Sequence, residues 1–202
     1  MSTDGTSGGL REQKKALTRA TLEATALERF LSDGYETVRL EDVCAECLVS
    51  TRTFFRYFSS KEDLVLGRLR SHLGLASELF ARRPADEPVL ESLRAVITET
   101  VADYSADPDR ELARMRLVTT TPVLEAGLAR VLAGFERLVR RFAAVRTNSA
   151  EDTRGSRLIA AAAVTAFRVG LELWVAEDAR GDLADAIIAN LDELTAGIRE
   201  LG

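Results

Sequence analysis

The stretch Leu40–Leu64, LEDVCAECLVSTRTFFRYFSSKEDL, decides how the rest of the chain is read. It divides into a short helix, a tight turn, a second short helix and the opening of a third. Ser50–Tyr57 carries hydroxyls, two arginines and three aromatics within eight residues. A helix of that make-up suits nucleic acid on one side and a small core on the other. Over Leu40–Glu46 the residues predicted to be buried are Leu40, Val43 and Cys44. Ser50 is a good N-cap, its hydroxyl placed to accept from the amide of Arg52 or Thr53. Phe54 and Phe58, four apart, form the core face and leave Thr51, Arg52, Phe55 and, obliquely, Arg56 on the other. Ser60 and Asp63 have capping-box spacing at the start of the next helix.

Outward from this stretch the pattern is helical throughout. Met1–Gly9 is rich in Ser, Thr and Gly and is expected to be a disordered tail. A helix over about Leu10–Asp33 carries Leu22, Ala26 and Phe30 on one stripe, and Gly34 ends it as a left-handed residue would. After Leu64 the fourth helix runs on to about Arg82, long enough to leave a small domain and enter a larger one. Pro88, Pro108 and Pro122 each sit at a helix start, the last two behind Asp107 and Thr121. They open helices to about Ser105, around Met115, and to about Arg146. Two more follow at about Ser156–Asp178 and Leu183–Leu201. The expectation is an all-α chain of about nine helices: residues 10–60 a three-helix helix-turn-helix domain, residues 61–202 a helical ligand-binding and dimerisation domain.

Composition agrees with a globular helical protein and narrows its chemistry. Of 202 residues, 46% are hydrophobic and only four are proline. The net charge of −5 conceals an asymmetry. Residues 1–83 hold 13 Lys and Arg against 12 Asp and Glu, whereas residues 84–202 hold 14 against 20. The cations of the first part cluster at Arg11, Lys14, Lys15, Arg19, Arg52, Arg56 and Lys61. Phosphate contact depends on such clusters, because screening limits charge effects to about 10 Å. Met1–Gly9 is polar, with no apolar h-region, so no secretory signal is expected. The apolar run Leu158–Val175 is interrupted by Thr165, Arg168 and Glu172 and reads as a buried helix, not a membrane span. A cytoplasmic location is expected. Cys44 and Cys47 form C-x2-C without a second pair, and His72 is the only histidine, so no metal site or cofactor is expected. The two thiols read as core and turn residues, with a thiol sensor as the alternative. No nucleophile–base pair or phosphate loop argues for an enzyme.

Side chains at the start of a recognition helix meet base edges in the major groove. Ser50, Thr51, Arg52 and Thr53 hold that position, with Phe55 and Arg56 on the same face. Tyr57 and Lys61 are placed for phosphates, and Lys14 and Arg39 are flanking cations that complete the candidate DNA-binding set.

The segments LERFLSDGYETV, LEDVCAECLVS and TRTFFRYFSSKEDL, within residues 14–64, resemble the N-terminal domain of the TetR family of bacterial transcriptional regulators. The sequence VSTRTFFRYF and the TP-L motif at Thr121 resemble the actinobacterial branch that includes mycofactocin-type regulators. The resemblance implies a homodimer formed through the last two helices, a palindromic double-stranded DNA operator and a C-terminal domain that binds an inducer. The implied activity is repression relieved by a small, largely apolar molecule, the alternative being a DNA-binding regulator with no inducer. Two positions depart from the family pattern. Leu48 occupies the turn position usually held by glycine, and a positive φ there would cost about 1–2 kcal/mol. Arg39 replaces the small hydroxyl residue expected before the second helix.

For the ligand-binding domain the candidate pocket residues are Met115, Leu117, Phe135, Phe142, Phe167, Arg168, Leu171 and Trp174, with Leu132 beside them. Arg168 and Glu172, one turn apart in an apolar helix, are read as an internal ion pair, an inter-subunit contact or polar anchors of the pocket.

Overall fold

A computed structural model describes the backbone of residues 5–200 and the side-chain surroundings of Gly9 and of residues 12–197. Nine α-helices and one 3₁₀ turn make up the fold, with no strand among the described residues. Helix α1 (Gly5–Asp33) is described from within the expected tail, whose first four residues lie outside the described range. Its stripe Leu22, Ala26, Leu27 and Phe30 is buried, whereas Ala16 is exposed. Gly34 closes α1 with φ 85°, a conformation available to glycine at no steric cost. Helix α2 (Leu40–Glu46) then lies against α1, and α3 (Thr51–Phe54) against α2, with Val43, Cys44, Phe54 and Phe58 buried.

Helix α4 (Asp63–Arg82) belongs to both halves of the protein. It packs against α1 on one side and against α5 (Val89–Val101) and α7 (Pro122–Arg146) on the other, and Leu64, Val65, Leu69, Ala76, Leu79 and Phe80 are buried along it. Its start departs from the expected capping box. Asp63 reaches back to Ser59, accepting from its amide at 2.9 Å and its hydroxyl at 3.2 Å, while Ser60 supplies only its backbone carbonyl to the Asp63 amide.

Helix α5 (Val89–Val101) continues into a 3₁₀ turn at Ala102–Ala106, so the predicted single helix to Ser105 tightens in its last turn. Asp107 caps α6 (Pro108–Thr120) by accepting from the Arg110 amide at 3.3 Å, and Thr121 with Pro122 begins α7 (Pro122–Arg146). Helix α8 (Arg154–Ala176) is capped by Thr153, whose hydroxyl accepts from the Ser156 amide. Asp182 caps α9 (Leu183–Glu200) by accepting from the amides of Ala184 and Asp185. The most extensive helix pairings are α8 with α9, α7 with α8, and α4 with α7.

A group of charges is buried where α4, α6 and the 3₁₀ turn meet. Glu111 and Arg114 of α6 are 1% and 3% exposed, and Arg68 of α4 lies half-buried beside Glu111. Arg114 Nε stands 3.4 Å from Glu111 Oε2, and Arg114 Nη1 donates to the Leu64 carbonyl at 3.3 Å. Arg68 also pairs with Asp103 at 2.7 Å. Burial opposes the Arg68 charge, but Glu111 and Asp103 outweigh it and raise its pKa. In sequence these residues read as an ordinary polar helix face. Only the packing of α6 into the helical core removes Glu111 and Arg114 from water.

Candidate nucleic-acid interface and the cavity behind it

The turn between α2 and α3 has the hydrogen bonds of a Schellman motif. The Leu48 amide donates to the Ala45 carbonyl at 3.1 Å and the Val49 amide to the Cys44 carbonyl at 2.9 Å. This motif requires a left-handed residue after the C-cap, and Leu48 fills it with φ 54°. Its side chain is 93% exposed, so no packing compensates the strain. Arg39 is the residue before α2, extended, with no side-chain cap and an exposed guanidinium 3.7 Å from Glu41.

Ser50 caps α3 as the sequence predicts, accepting from the Thr53 amide at 3.1 Å, and its hydroxyl lies 3.0 Å from the Thr53 hydroxyl. The α-helical part of this element ends at Phe54, and residues 55–57 continue as turns. Phe54 and Phe58 stack at 5.2 Å in the core. Thr51, Arg52, Phe55 and Arg56 are exposed together on the outer face, and Arg52 has no ion pair among the described residues. Arg56 Nη2 donates to the Tyr57 hydroxyl at 3.2 Å, and this bond, with neighbouring Thr18 and Lys15, lowers the phenol pKa. The arrangement joins the end of α3 to the exposed, cation-bearing part of α1 that holds Lys14 and Lys15. Lys61 is held differently. Its ammonium donates to the Tyr35 carbonyl and lies 4.3 Å from the Tyr35 ring centroid and 5.4 Å from that of Phe30. Burial lowers its pKa against the pull of Glu36 and Glu62. In this structure Lys61 ties the start of α4 to the turn after α1.

Cys44 is buried, and burial raises its thiol pKa, which suits a core residue. Cys47 is the C-cap of α2. No group of His, Cys, Asp and Glu suited to a metal occurs among the described residues.

Away from α1–α3, the candidate reading head, a cavity of about 50 Å³ lies between α4, α5, α7 and α8. Ala76 and Phe80 of α4 face Val96 and Thr100 of α5, Leu132 and Phe135 of α7, and Ala163 and Phe167 of α8. Of the sequence-predicted pocket residues, Leu132, Phe135 and Phe167 line it, the two rings stacked at 6.2 Å. Met115, Leu117 and Leu171 are buried elsewhere in the core. Phe142 sits against Phe80 at 4.4 Å, at the edge of a neighbouring surface groove. Trp174 donates to the Gly181 carbonyl at 3.3 Å near the α8–α9 loop. Arg168 and Glu172 are about half exposed and pair at 2.8 Å on the outer face of α8, outside the cavity. The residues missed in sequence are those of α4 and α5, with Val139 of α7 and Ala163 and Val164 of α8, because apolar stripes there read as plain core.

Two family profiles cover these halves. "Bacterial regulatory proteins, tetR family" matches residues 22–67, and "MftR C-terminal domain" matches residues 87–199. The chain therefore belongs to the TetR family of bacterial transcriptional regulators, DNA-binding proteins of the helix-turn-helix type. It is 35% identical to the HTH-type transcriptional regulator TcmR of Streptomyces glaucescens over 82% of this chain and 76% of that one. It is 24% identical to a protein named as the mycofactocin biosynthesis transcriptional regulator MftR of Mycobacterium tuberculosis, over 94% and 95%. Its fold is similar to the crystal structure of Thermus thermophilus FadR, a TetR-family repressor in complex with lauroyl-CoA. There the TM-score is 0.59 and the identity 21%, with 88% of this chain and 93% of that one covered.

Proposed function

We propose that this regulator is a repressor that binds a palindromic operator as a homodimer and is released by a small, largely apolar inducer held in the α4/α5/α7/α8 cavity. The observation that carries the reading is that Ala76 and Phe80 on α4 line the cavity, while the same helix also packs against α1 of the helix-turn-helix half. A molecule entering the cavity meets the helix on which the head is mounted. If it favours one position of α4 over another, it changes the spacing of two reading heads by that difference in affinity. The ring-lined cavity is far smaller than the roughly 300–1,000 Å³ of occupied ligand sites, so Phe80, Phe135 and Phe167 must part on binding. The lauroyl-CoA of the Thermus protein, with its long apolar chain, supports an apolar inducer.

In this reading Ser50, Thr51, Arg52 and Thr53 meet base edges with Phe55 and Arg56 on the same face, Lys14, Arg39 and Tyr57 lie on the backbone side, and Lys61, bonded to Tyr35, braces the start of α4. The dimer forms through α8 and α9. That choice is supported by exposed Leu158, Leu173 and Leu194 on those helices and by the exposed Arg168–Glu172 pair of α8. A two-fold dimer then demands a two-fold operator. The protein acts in the cytoplasm. Fluorescence polarisation with duplexes from upstream of its own gene tests the reading. Selective binding that falls when an apolar ligand is added supports it. Selective binding that no ligand relieves favours a regulator without an inducer, a reading consistent with the small cavity. Equal binding to random DNA sinks both.

A further inference from the structure

The cavity holds one polar side chain, Thr100; every other residue lining it is apolar. Thr100 is 5% exposed, and its hydroxyl has no hydrogen-bond partner. Several other helical threonines of this protein settle theirs on the carbonyl one turn back. Thr98 donates to Arg94 at 3.1 Å, Thr119 to Met115 at 3.1 Å and Thr195 to Leu191 at 2.8 Å. Thr100 does not use that acceptor: the residue lines the cavity, and its hydroxyl is buried in the wall without a partner. A buried, unpartnered hydroxyl is destabilising in the empty protein, and a ligand that hydrogen-bonds to it relieves that cost. No charged residue lines the cavity. An ionised group placed there would be buried without a counter-charge, which is strongly unfavourable.

We infer that the cavity selects a mainly apolar, uncharged molecule bearing one hydroxyl or carbonyl, and that Thr100 is the residue that recognises that group. The inference rests on the reading of this cavity as the inducer site. A threonine hydroxyl both donates and accepts, so it serves either partner. A site built to hydrogen-bond one ligand group rejects the analogue that lacks it, because the protein group is then left unpaired. Phe80, Phe135 and Phe167 supply ring faces and edges for the apolar remainder.

The test uses the full-length protein, calorimetry at neutral pH and three probes of one shape: 1-naphthol, naphthalene and 1-naphthoate. The wild type is expected to bind naphthol about 5- to 10-fold more tightly than naphthalene, the effect of one net hydrogen bond, and naphthoate most weakly. Thr100→Ser keeps that order. Thr100→Val, which preserves shape, abolishes the preference for naphthol. Phe135→Trp, or Val164→Phe should the first not fold, fills the cavity and weakens all three. If cavity filling abolishes binding but Thr100→Val leaves the naphthol preference intact, the role of Thr100 is wrong and the cavity reading stands. A tightest fit for naphthoate overturns the uncharged class. If no probe binds, or binding is indifferent to cavity filling, the cavity reading fails and the inference with it.

Discussion

Gly170 of α8 lies directly against the backbone of Ile187 in α9. A Cβ added at Gly170 would stand 3.2 Å from both Cα and N of Ile187 and 2.8 Å from its Cγ1. Backbone atoms cannot swing aside as a side-chain tip can, so Gly170→Ala must separate the two helices. Overpacking costs about 1–3 kcal/mol, against which a helical Gly→Ala change returns about 0.5–1 kcal/mol. A net loss of stability is expected in urea melts. Since α8 and α9 carry the proposed dimer face, sedimentation should also show weaker self-association. A variant as stable as the wild type would show that the helices part freely.

The seam between α4 and α7 uses glycine in a milder way. Gly134 faces Leu73, whose Cδ2 would be 2.7 Å from an added Cβ, and one heptad earlier on both helices Gly127 faces Leu66 in the same manner. These notches keep α4 close to α7 on the reading-head side of Ala76 and Phe80, which makes them the natural pivot for the motion proposed for α4.

Leu48→Gly should stabilise the protein. Leu48 has φ 54° and is almost fully exposed, so the change removes backbone strain of about 1 kcal/mol and loses no packing. A melting temperature about 2–4 °C higher is expected for a protein of this size. A lower one would mean that the leucine side chain has a contact absent from the isolated chain.

Glu111→Gln leaves Arg114 buried without its partner carboxylate. Removing one member of a buried pair costs about 3–5 kcal/mol, whereas replacing the whole group with apolar residues of similar size is often neutral. Glu111→Gln should therefore lower the denaturation midpoint strongly, and Glu111→Met combined with Arg114→Leu should recover part of the loss. Equal midpoints for wild type and Glu111→Gln would refute the assignment.

Arg52→Ala should erase discrimination more than affinity. A bidentate contact to one base is worth about 1–3 kcal/mol against the wrong base, while the salt dependence of binding follows phosphate contacts. Titrations against operator and scrambled duplexes at two salt concentrations separate these effects. Proportional losses on both duplexes would place Arg52 on the phosphates.

Glu87 provides a pH test. Arg83 Nε donates to it at 2.7 Å and the Ser92 hydroxyl at 2.5 Å, and the arginine, followed by the serine, holds the carboxyl pKa at about 2 against an ordinary 4.5. The folded value lies below the unfolded one. The pair's contribution is therefore complete above about pH 4.5 and is lost as pH falls toward 2. In carboxyl NMR titrations, Arg83→Gln should return Glu87 toward the ordinary value. An unmoved titration would remove Arg83 as the cause.

What could be read from the sequence alone was local. The Ser50 cap, the Gly34 and Leu48 left-handed turns, the Asp107 cap, the Thr121–Pro122 helix start and the Phe54/Phe58 core pair each depend on residues within a turn or two, where geometry follows directly from residue type. The helix count and the family pattern are sums of such signals. The tertiary structure decided which faces meet. It buried Glu111 and Arg114, turned Lys61 onto Tyr35, left Arg168 and Glu172 outside, and set Thr100 alone in an apolar cavity. None of these has a signature in spacing, because a polar residue on a helix looks the same whether the next helix covers it or water does.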